Sequence, residues 1–480
     1  MRSVVALLVT CAWASALGAA PPAGPTAAEV DLSPHPFAEA LPAPRLVEEP
    51  AVAPWVPKER HFARAAGEVV LMEVLPWSFS RYVSNAEFAH ISIGTVRQNL
   101  ETGFTYDRDN FQTDQFSHPY HGSLFFGAAR SNGYSFWESG AFAFAGSFVW
   151  EVGMESEPPA FNDLVNTTLG GMDRGEIAHR LGTLLRDNTA RGGGRFWREL
   201  GAAVLDPMGA FNRLLDGELA GVSENPPDRL PSRFVADVAG FYRSATGGLA
   251  SGDGGDQGGV EVRLRYGDPF DGERHSPYEW FDAVLDVGFP AGISNVESRG
   301  VLTDRALGGE TGTRQRLAVG LRYVYYDNGP ISFGGQSFDL SHLALFPLRG
   351  GAELRTEAGV AVFPMAALAV DYEGVSQVVF GRGFDYGPVA DLQASARVRR
   401  REIDLVRVSG SLLWQSTTDG VSRGSRVHSV GAEARLPVFR DLWSVGAGWG
   451  WSERTTTYDA FPTVRTSGSA FRLLAGVTFR

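Results

Sequence analysis

A chain of 480 residues with a formal net charge of −12 and no block of lysine or arginine offers nothing for nucleic acid to bind. Its only cysteine, Cys11, lies inside an N-terminal apolar run, so an exported form has neither disulfides nor a thiolate metal site. Past that run no uncharged stretch approaches the roughly 20 residues a spanning helix needs, whereas 58 glycines, 11% aromatic residues and a mean hydropathy of −0.11 suit strands that are apolar on one face only.

Arg2 and the apolar run from Val4 to Trp13, followed by Ala16, Leu17 and Gly18, predict a signal peptide over residues 1–18 and a mature chain starting at Ala19. Thr10 before Cys11 is a poor match to a lipoprotein cleavage box. Residues 19–57 are a Pro/Ala-rich leader, which cannot bury enough apolar surface to fold alone. From 58 to 220 the pattern is helical. "SIGTVRQNLETGF" predicts a short helix capped by Ser92 and stopped at Gly103, and Pro119 suits the first turn of the next one. After Pro158 and Pro159, Asn162 or Asp163 is the expected cap of a further helix. Residues 221–257 form a Gly/Pro-rich connection ending in "SGDGGDQGG", read as a turn.

From 258 to 480 the period is two. Leu317, Val319, Leu321, Tyr323 and Tyr325 share one face, as do Trp443, Val445, Ala447, Trp449 and Trp451 opposite Ser444, Gly446, Gly448, Gly450 and Ser452. Segments of about ten residues with aromatics near their ends fit tilted strands crossing a bilayer. Lipid requires that such a sheet be closed. The expected fold is therefore mainly β, a C-terminal transmembrane antiparallel barrel of 10 to 12 strands, with 331–386 hard to divide. Arg399, Arg400 and Arg401 are read as a hairpin turn.

The candidates for chemistry lie in the helical part. His118 and His121, three apart, share a helical face, and so do Glu176 and His179. With Glu138, Glu151 and Asp163 they could form an acid–base or metal cluster; the plainer reading is caps and buried hydrogen bonds. The helical part has no second metal-binding spacing and no Gly-x-Ser-x-Gly elbow, so neither metal nor cofactor is expected. Ser123 has no orienting base. The glycines of "GGMDRGE" lack the Lys-Ser/Thr ending of a phosphate loop and suit close helix packing.

"DNFQTDQFSHPYHGSLFFGAARSNGYSFWES" and "FVWEVGMESEPPAFNDLVNTTLGGMDRGEIAHRL" resemble the bacterial domain of unknown function 3943 family over about residues 92–185. The resemblance marks Asp107, Phe111, His118, Pro119, Gly122, Arg130, Trp150, Glu151, Asn162, Asp163, Gly170, Gly175 and Glu176 as motif positions, with His179 a departure. It implies a Gram-negative envelope protein without an established activity. A looser similarity to the VanZ-like membrane proteins covers only the helices.

The reading that follows is a protein of the cell outer membrane, partnered by outer-membrane lipid and the barrel-assembly machinery, its helices packed in or against the barrel as a plug. Its role would be structural or the passage of small molecules or lipids, with Arg130, Asn162 and Glu176 joining His118, Glu151 and Asp163 in a buried polar network. The alternative is an envelope enzyme, a lipid or cell-wall hydrolase or transferase, using His118 as base with Glu151 or Asp163. Convergence of those three on an accessible cavity would favour the enzyme, and dispersal or burial in separate contacts would remove it.

Overall fold

The computed structural model describes residues 52–219, 221–247, 255–272, 276–289, 292–308, 312–327, 331–439 and 442–480. The expected signal peptide, all but the last residues of the leader and residues 251–254 of the "SGDGGDQGG" stretch lie outside them, and the last four residues of that stretch open the second strand in place of a turn.

Twelve strands follow one another, β1 (Phe234–Gly247), β2 (Asp256–Tyr266), β3 (Phe281–Phe289), β4 (Gly292–Ala306), β5 (Arg314–Asp327), β6 (Ser332–Pro347), β7 (Ala352–Ala369), β8 (Phe384–Arg400), β9 (Ile403–Ser416), β10 (Ser422–Phe439), β11 (Trp443–Tyr458) and β12 (Val464–Phe479). Each pairs antiparallel with the next, and β12 pairs with β1 to close the barrel. β1 falls inside the expected connection, so the barrel begins at Phe234 rather than 258. Its two faces contrast weakly, with Val235, Ala239 and Phe241 opposite Ala236, Val238 and Gly240, and that blurs the period. The Arg401 turn is as expected: Arg401 and Glu402, at φ 48° and 68°, join β8 to β9.

Ion pairs identify the interior. Arg322 on β5 reaches Asp391 on β8 at 3.4 Å, and Arg263 on β2 reaches Glu433 on β10 at 2.8 Å. These strands are not neighbours, so the pairs meet across the lumen. Residues next in sequence point the other way. On β9 to β12 that outer face is an exposed apolar belt including Val408, Trp414, Val430, Trp443, Trp449 and Phe471.

Among the described residues eight helices precede the barrel: α1 (Phe62–Tyr82), α2 (Ile93–Thr102), α3 (His118–Ser131), α4 (Phe136–Val149), α5 (Phe161–Val165), α6 (Gly171–Leu185), α7 (Gly192–Leu205) and α8 (Pro207–Leu215); α9 (Glu373–Phe380) lies between β7 and β8. Ser92 caps α2 through a reciprocal box with Thr95, and Gly103 ends it at φ 73°, as the sequence predicts. Asn162 and Asp163 do not cap α5, whose cap is Ala160. They lie inside it, with their side chains turned to the site described below.

The helices do not plug the lumen. They dock on outward-facing wall residues: Tyr323, beside the lumenal Arg322, donates its hydroxyl to the carbonyl of Gln115, and Tyr325 packs on Phe116 with ring centroids 4.3 Å apart. Phe125, Phe126 and Phe136 share a core with Tyr266, Phe281 and Leu321. Each fully buried phenylalanine there contributes about 1.5–3 kcal/mol. The docked face runs diagonally, from Tyr266 and Phe281 at one rim to Phe384 and Tyr386 at the other. The lumen has no room for helices because its own charged side chains fill it.

The glycines act as expected in helix packing. A Cβ on Gly122 would stand 1.8 Å from the Thr167 carbonyl oxygen, and one on Gly171 would stand 2.5 Å from the Gly122 carbonyl carbon. Gly122→Ala is therefore expected to destabilise the helical domain by about 1–3 kcal/mol. Limited proteolysis should show faster cleavage of the helices while the barrel keeps its heat-modifiable migration.

Candidate functional site

Three five-residue π-helical turns mark one region of the helical domain: Thr113–Ser117 leading into α3, Trp150–Met154 ending α4, and Asn166–Gly170 joining α5 to α6. Such widened turns recur at functional sites. The first has a local cause in Pro119, which lacks the N–H that would bond the Gln115 carbonyl in an α-helix. The His118 N–H bonds Thr113 instead, and the Tyr323 hydroxyl satisfies Gln115. Asp114 lies within the first widened turn and His118 follows it. Glu151 lies in the second, and Asn162 and Asp163 precede the third.

These residues converge. His118 Nε2 lies 3.3 Å from Asp163 Oδ1 and 3.8 Å from Asp109. Asn162 Nδ2 stands among Asp107 Oδ1 at 2.7 Å, Asp163 Oδ1 at 2.9 Å, Asp114 Oδ1 at 3.3 Å and the Tyr386 hydroxyl at 3.1 Å. Tyr386, on the outer wall, also donates to Asp114. Glu151 is buried beside them, its Oε2 accepting the Ala160 N–H at 2.9 Å. Of the three expected catalytic residues, His118 and Asp163 thus meet directly, while Glu151 braces the chain entering α5.

Burial raises Asp107, Asp114, Glu151 and Asp163. It pushes Asp114 up to about 8, with the charge of Asp107 adding to it, and Glu151 to about 8, with Glu155 adding. Asp163 is held well above the carboxylate range by burial, then by Asp107 and Glu151. Burial opposes a charge on His118, yet the Asp109 carboxylate and the charges of Glu151, Asp114 and Asp107 outweigh it and push the imidazole up to about 9.

Arg130 and Glu176 belong elsewhere. Arg130 Nε bonds Glu176 Oε2 at 2.8 Å, and Arg180 Nε bonds Oε1 at 2.9 Å. His179 turns toward Asp206, 3.9 Å away, so the Glu176/His179 pair forms no shared site. Glu138 is an exposed partner of the Ser135 cap. His121 bonds the Met72 carbonyl at 2.9 Å and packs on Phe125 and Trp150; burial lowers it to about 4. It ties α3 to α1. Asp114 and Tyr386 carried no motif signal for the site. Asp114 reaches it only through the widened turn, and Tyr386 is brought 224 residues along the chain by barrel closure.

Fold and site together define a closed twelve-strand barrel carrying a docked helical domain with a buried acid–imidazole cluster. The family described as Domain of unknown function (DUF3943) matches residues 103–208, which lie within the helical domain. Among solved structures, the chain is similar to the NanC porin (11% identity, 50% of this chain and 98% of that one, TM-score 0.25). It is also similar to the CymD monoaromatic hydrocarbon channel (12%, 52% and 89%, TM-score 0.20) and to an anion-selective porin from Comamonas acidovorans (10%, 52% and 99%, TM-score 0.21). No curated protein matches the chain.

The Arg130–Glu176–Arg180 cluster makes stability depend on acid. Burial works against the charge of Glu176, but Arg130 and Arg180 outweigh it and hold the carboxyl at about 2. A carboxyl depressed on folding stabilises above its unfolded value near 4.5, and that contribution is lost as pH falls toward 2. The loss amounts to about 3 kcal/mol. Thermal unfolding of the helical domain should show this slope between pH 5 and 2, and Glu176→Gln should flatten it while lowering stability at pH 7.

Proposed function

We propose that this is an outer-membrane protein whose barrel is a closed scaffold and whose helical domain is the working part, doing acid–base chemistry on a lipid-borne substrate. The observation that carries this reading is the convergence of His118 and Asp163, with Asp107, Asp114 and Tyr386, on the outward face of the barrel wall. A wall spanning the bilayer sets that site beside lipid and not in a pore. Exposed apolar side chains on the helices support the placement: Leu71, Leu75 and Phe79 on α1, and Trp137, Phe144 and Phe148 on α4. His118 and Asp163 are the pair that passes a proton to or from the substrate. Outer-membrane lipid is the partner, and insertion falls to the barrel-assembly machinery.

A second reading, passage of small molecules without catalysis, is favoured by a lumenal cavity of about 300 Å³ lined by Arg263, Arg299, Arg322 and Arg397. The ion pairs of Arg263 with Glu433 and Arg322 with Asp391 stand across that route.

Folded protein in detergent, incubated with extracted outer-membrane lipids, should release a lipid product detectable by mass spectrometry. His118→Ala and Asp163→Asn should each lower the rate by about 10²-fold or more while the barrel still migrates as heat-modifiable. In planar bilayers the wild type should conduct little, with the double variant Arg263→Ala, Glu433→Ala conducting more. Absence of product together with a large wild-type conductance would replace the first reading by the second.

A further inference from the structure

We propose that Asp107, Asp114, His118 and Asp163 form a binding site for a divalent transition-metal ion, enclosed between the helical domain and Tyr386 of the barrel wall. One donor atom from each of the four lies within 4.8 Å of all the others. Ligands bonded to one ion at about 2.0–2.2 Å are necessarily within about 4.4 Å of one another, so small rotamer adjustments bring the four into one coordination sphere.

Two further observations point to a ligand. His118 Nε2 is buried, faces Asp163 and has no hydrogen-bond partner. Its approach to Asp163 lacks hydrogen-bond geometry, and once neutral this nitrogen can give its lone pair to a cation in exchange for its proton. The second is Asn162. Its amide nitrogen carries two hydrogens but stands among four oxygens, of Asp107, Asp163, Asp114 and Tyr386, so it cannot satisfy them all. Among the described residues no guanidinium or ammonium bonds to any of the three carboxylates; Arg382 donates only to the Asp107 backbone carbonyl, at 2.7 Å. The three acids thus share one imidazole, one neutral amide and the Tyr386 hydroxyl.

Three carboxylate oxygens with one imidazole nitrogen suit Mn²⁺, Fe²⁺ or Zn²⁺ better than the all-oxygen sets typical of Ca²⁺ and Mg²⁺. Of these four donors, His118 and Asp163 stand among the sequence candidates for a metal cluster, whereas Asp107 and Asp114 follow no metal-binding spacing and are brought in by the widened turns. The proposal rests on the reading of this site as the reacting centre and assigns its chemistry differently: with His118 and Asp163 holding the ion, the ion would polarise a substrate oxygen in place of direct proton transfer by that pair.

Full-length folded protein, stripped with a chelator and titrated with Mn²⁺, gives the test, with free Mn²⁺ followed by electron paramagnetic resonance and heat by calorimetry. One saturable Mn²⁺ per chain, displaced by Zn²⁺, is expected. Asp163→Asn and His118→Gln should each weaken binding at least tenfold, and Glu138→Gln, in the exposed cap, should leave it unchanged. Where either site variant loses its heat-modifiable band, Asp107→Asn supplies the same readout. No saturable uptake by the wild type, or uptake that survives these site substitutions, overturns the site. Mn²⁺ binding without lipid turnover supports the ion and removes the reaction. Turnover untouched by chelation, with no Mn²⁺ uptake, overturns the ion and leaves the reaction standing.

Discussion

Arg322 and Tyr323 are adjacent in sequence and point in opposite directions, and the rest of the structure depends on that alternation. One face of every strand must tolerate the interior and the other the exterior. The interior is met with charge: Arg263, Arg299, Arg322 and Arg397 pair with carboxylates on neighbouring and opposite strands. Buried pairs cost desolvation, so such a lumen contributes specificity and closure more than stability. The exterior divides in two. From β9 to β12 it is an exposed apolar belt, while on β2 to β8 part of the same apolar face is covered by helices.

The docking surface and the site are one construction. Pro119 frees the Gln115 carbonyl, the Tyr323 hydroxyl takes it up, and the widened turn between them sets Asp114 and His118 toward Asp163. Close approach of α3 and α6 at Gly122 and Gly171 holds the neighbouring turn, Asn166–Gly170, against the same helix. Tyr386 then closes the cluster from the wall. A change in the helix crossing or in the wall therefore reaches the acids directly, although no side chain of the cluster is altered.

The barrel was legible because lipid-facing and lumen-facing residues differ sharply on most strands; the faces expected at Leu317 to Tyr325 and at Trp443 to Trp451 are those observed. It was illegible where that contrast fails. Residues 331–386 resisted division because Phe333, Phe363 and Leu368 form an apolar cluster on the lumenal side, which makes both faces alike. β1 was missed for a similar reason. The plug was a wrong inference from sound packing logic: small residues and aromatics fit close against any wall, and Leu321, Tyr323 and Tyr325 read as lipid-facing until a helix covers them. In the site, His118 and Asp163 stood out by residue type and family resemblance. Asp114 needed a helical irregularity to be placed, and Tyr386 needed barrel closure.

The helical domain holds two buried carboxylate clusters, and they are solved differently. Glu176 meets two guanidinium groups, which hold it ionised at about 2. A group so compensated is finished structure: its oxygens are bonded and its charge is answered. Asp107, Asp114 and Asp163 share comparable surroundings, between helices of the same domain and the same wall, yet receive one imidazole and an amide with too few hydrogens. Burial then drives Asp114 up to about 8. Arginine was available to the fold, since Arg382 lies close enough to bond the Asp107 carbonyl, but its guanidinium is spent on backbone and on Asp419. Strongly perturbed acids that share one imidazole and no guanidinium are a cost that folding alone does not explain. Such costs concentrate where a site has work to do on a proton or an ion.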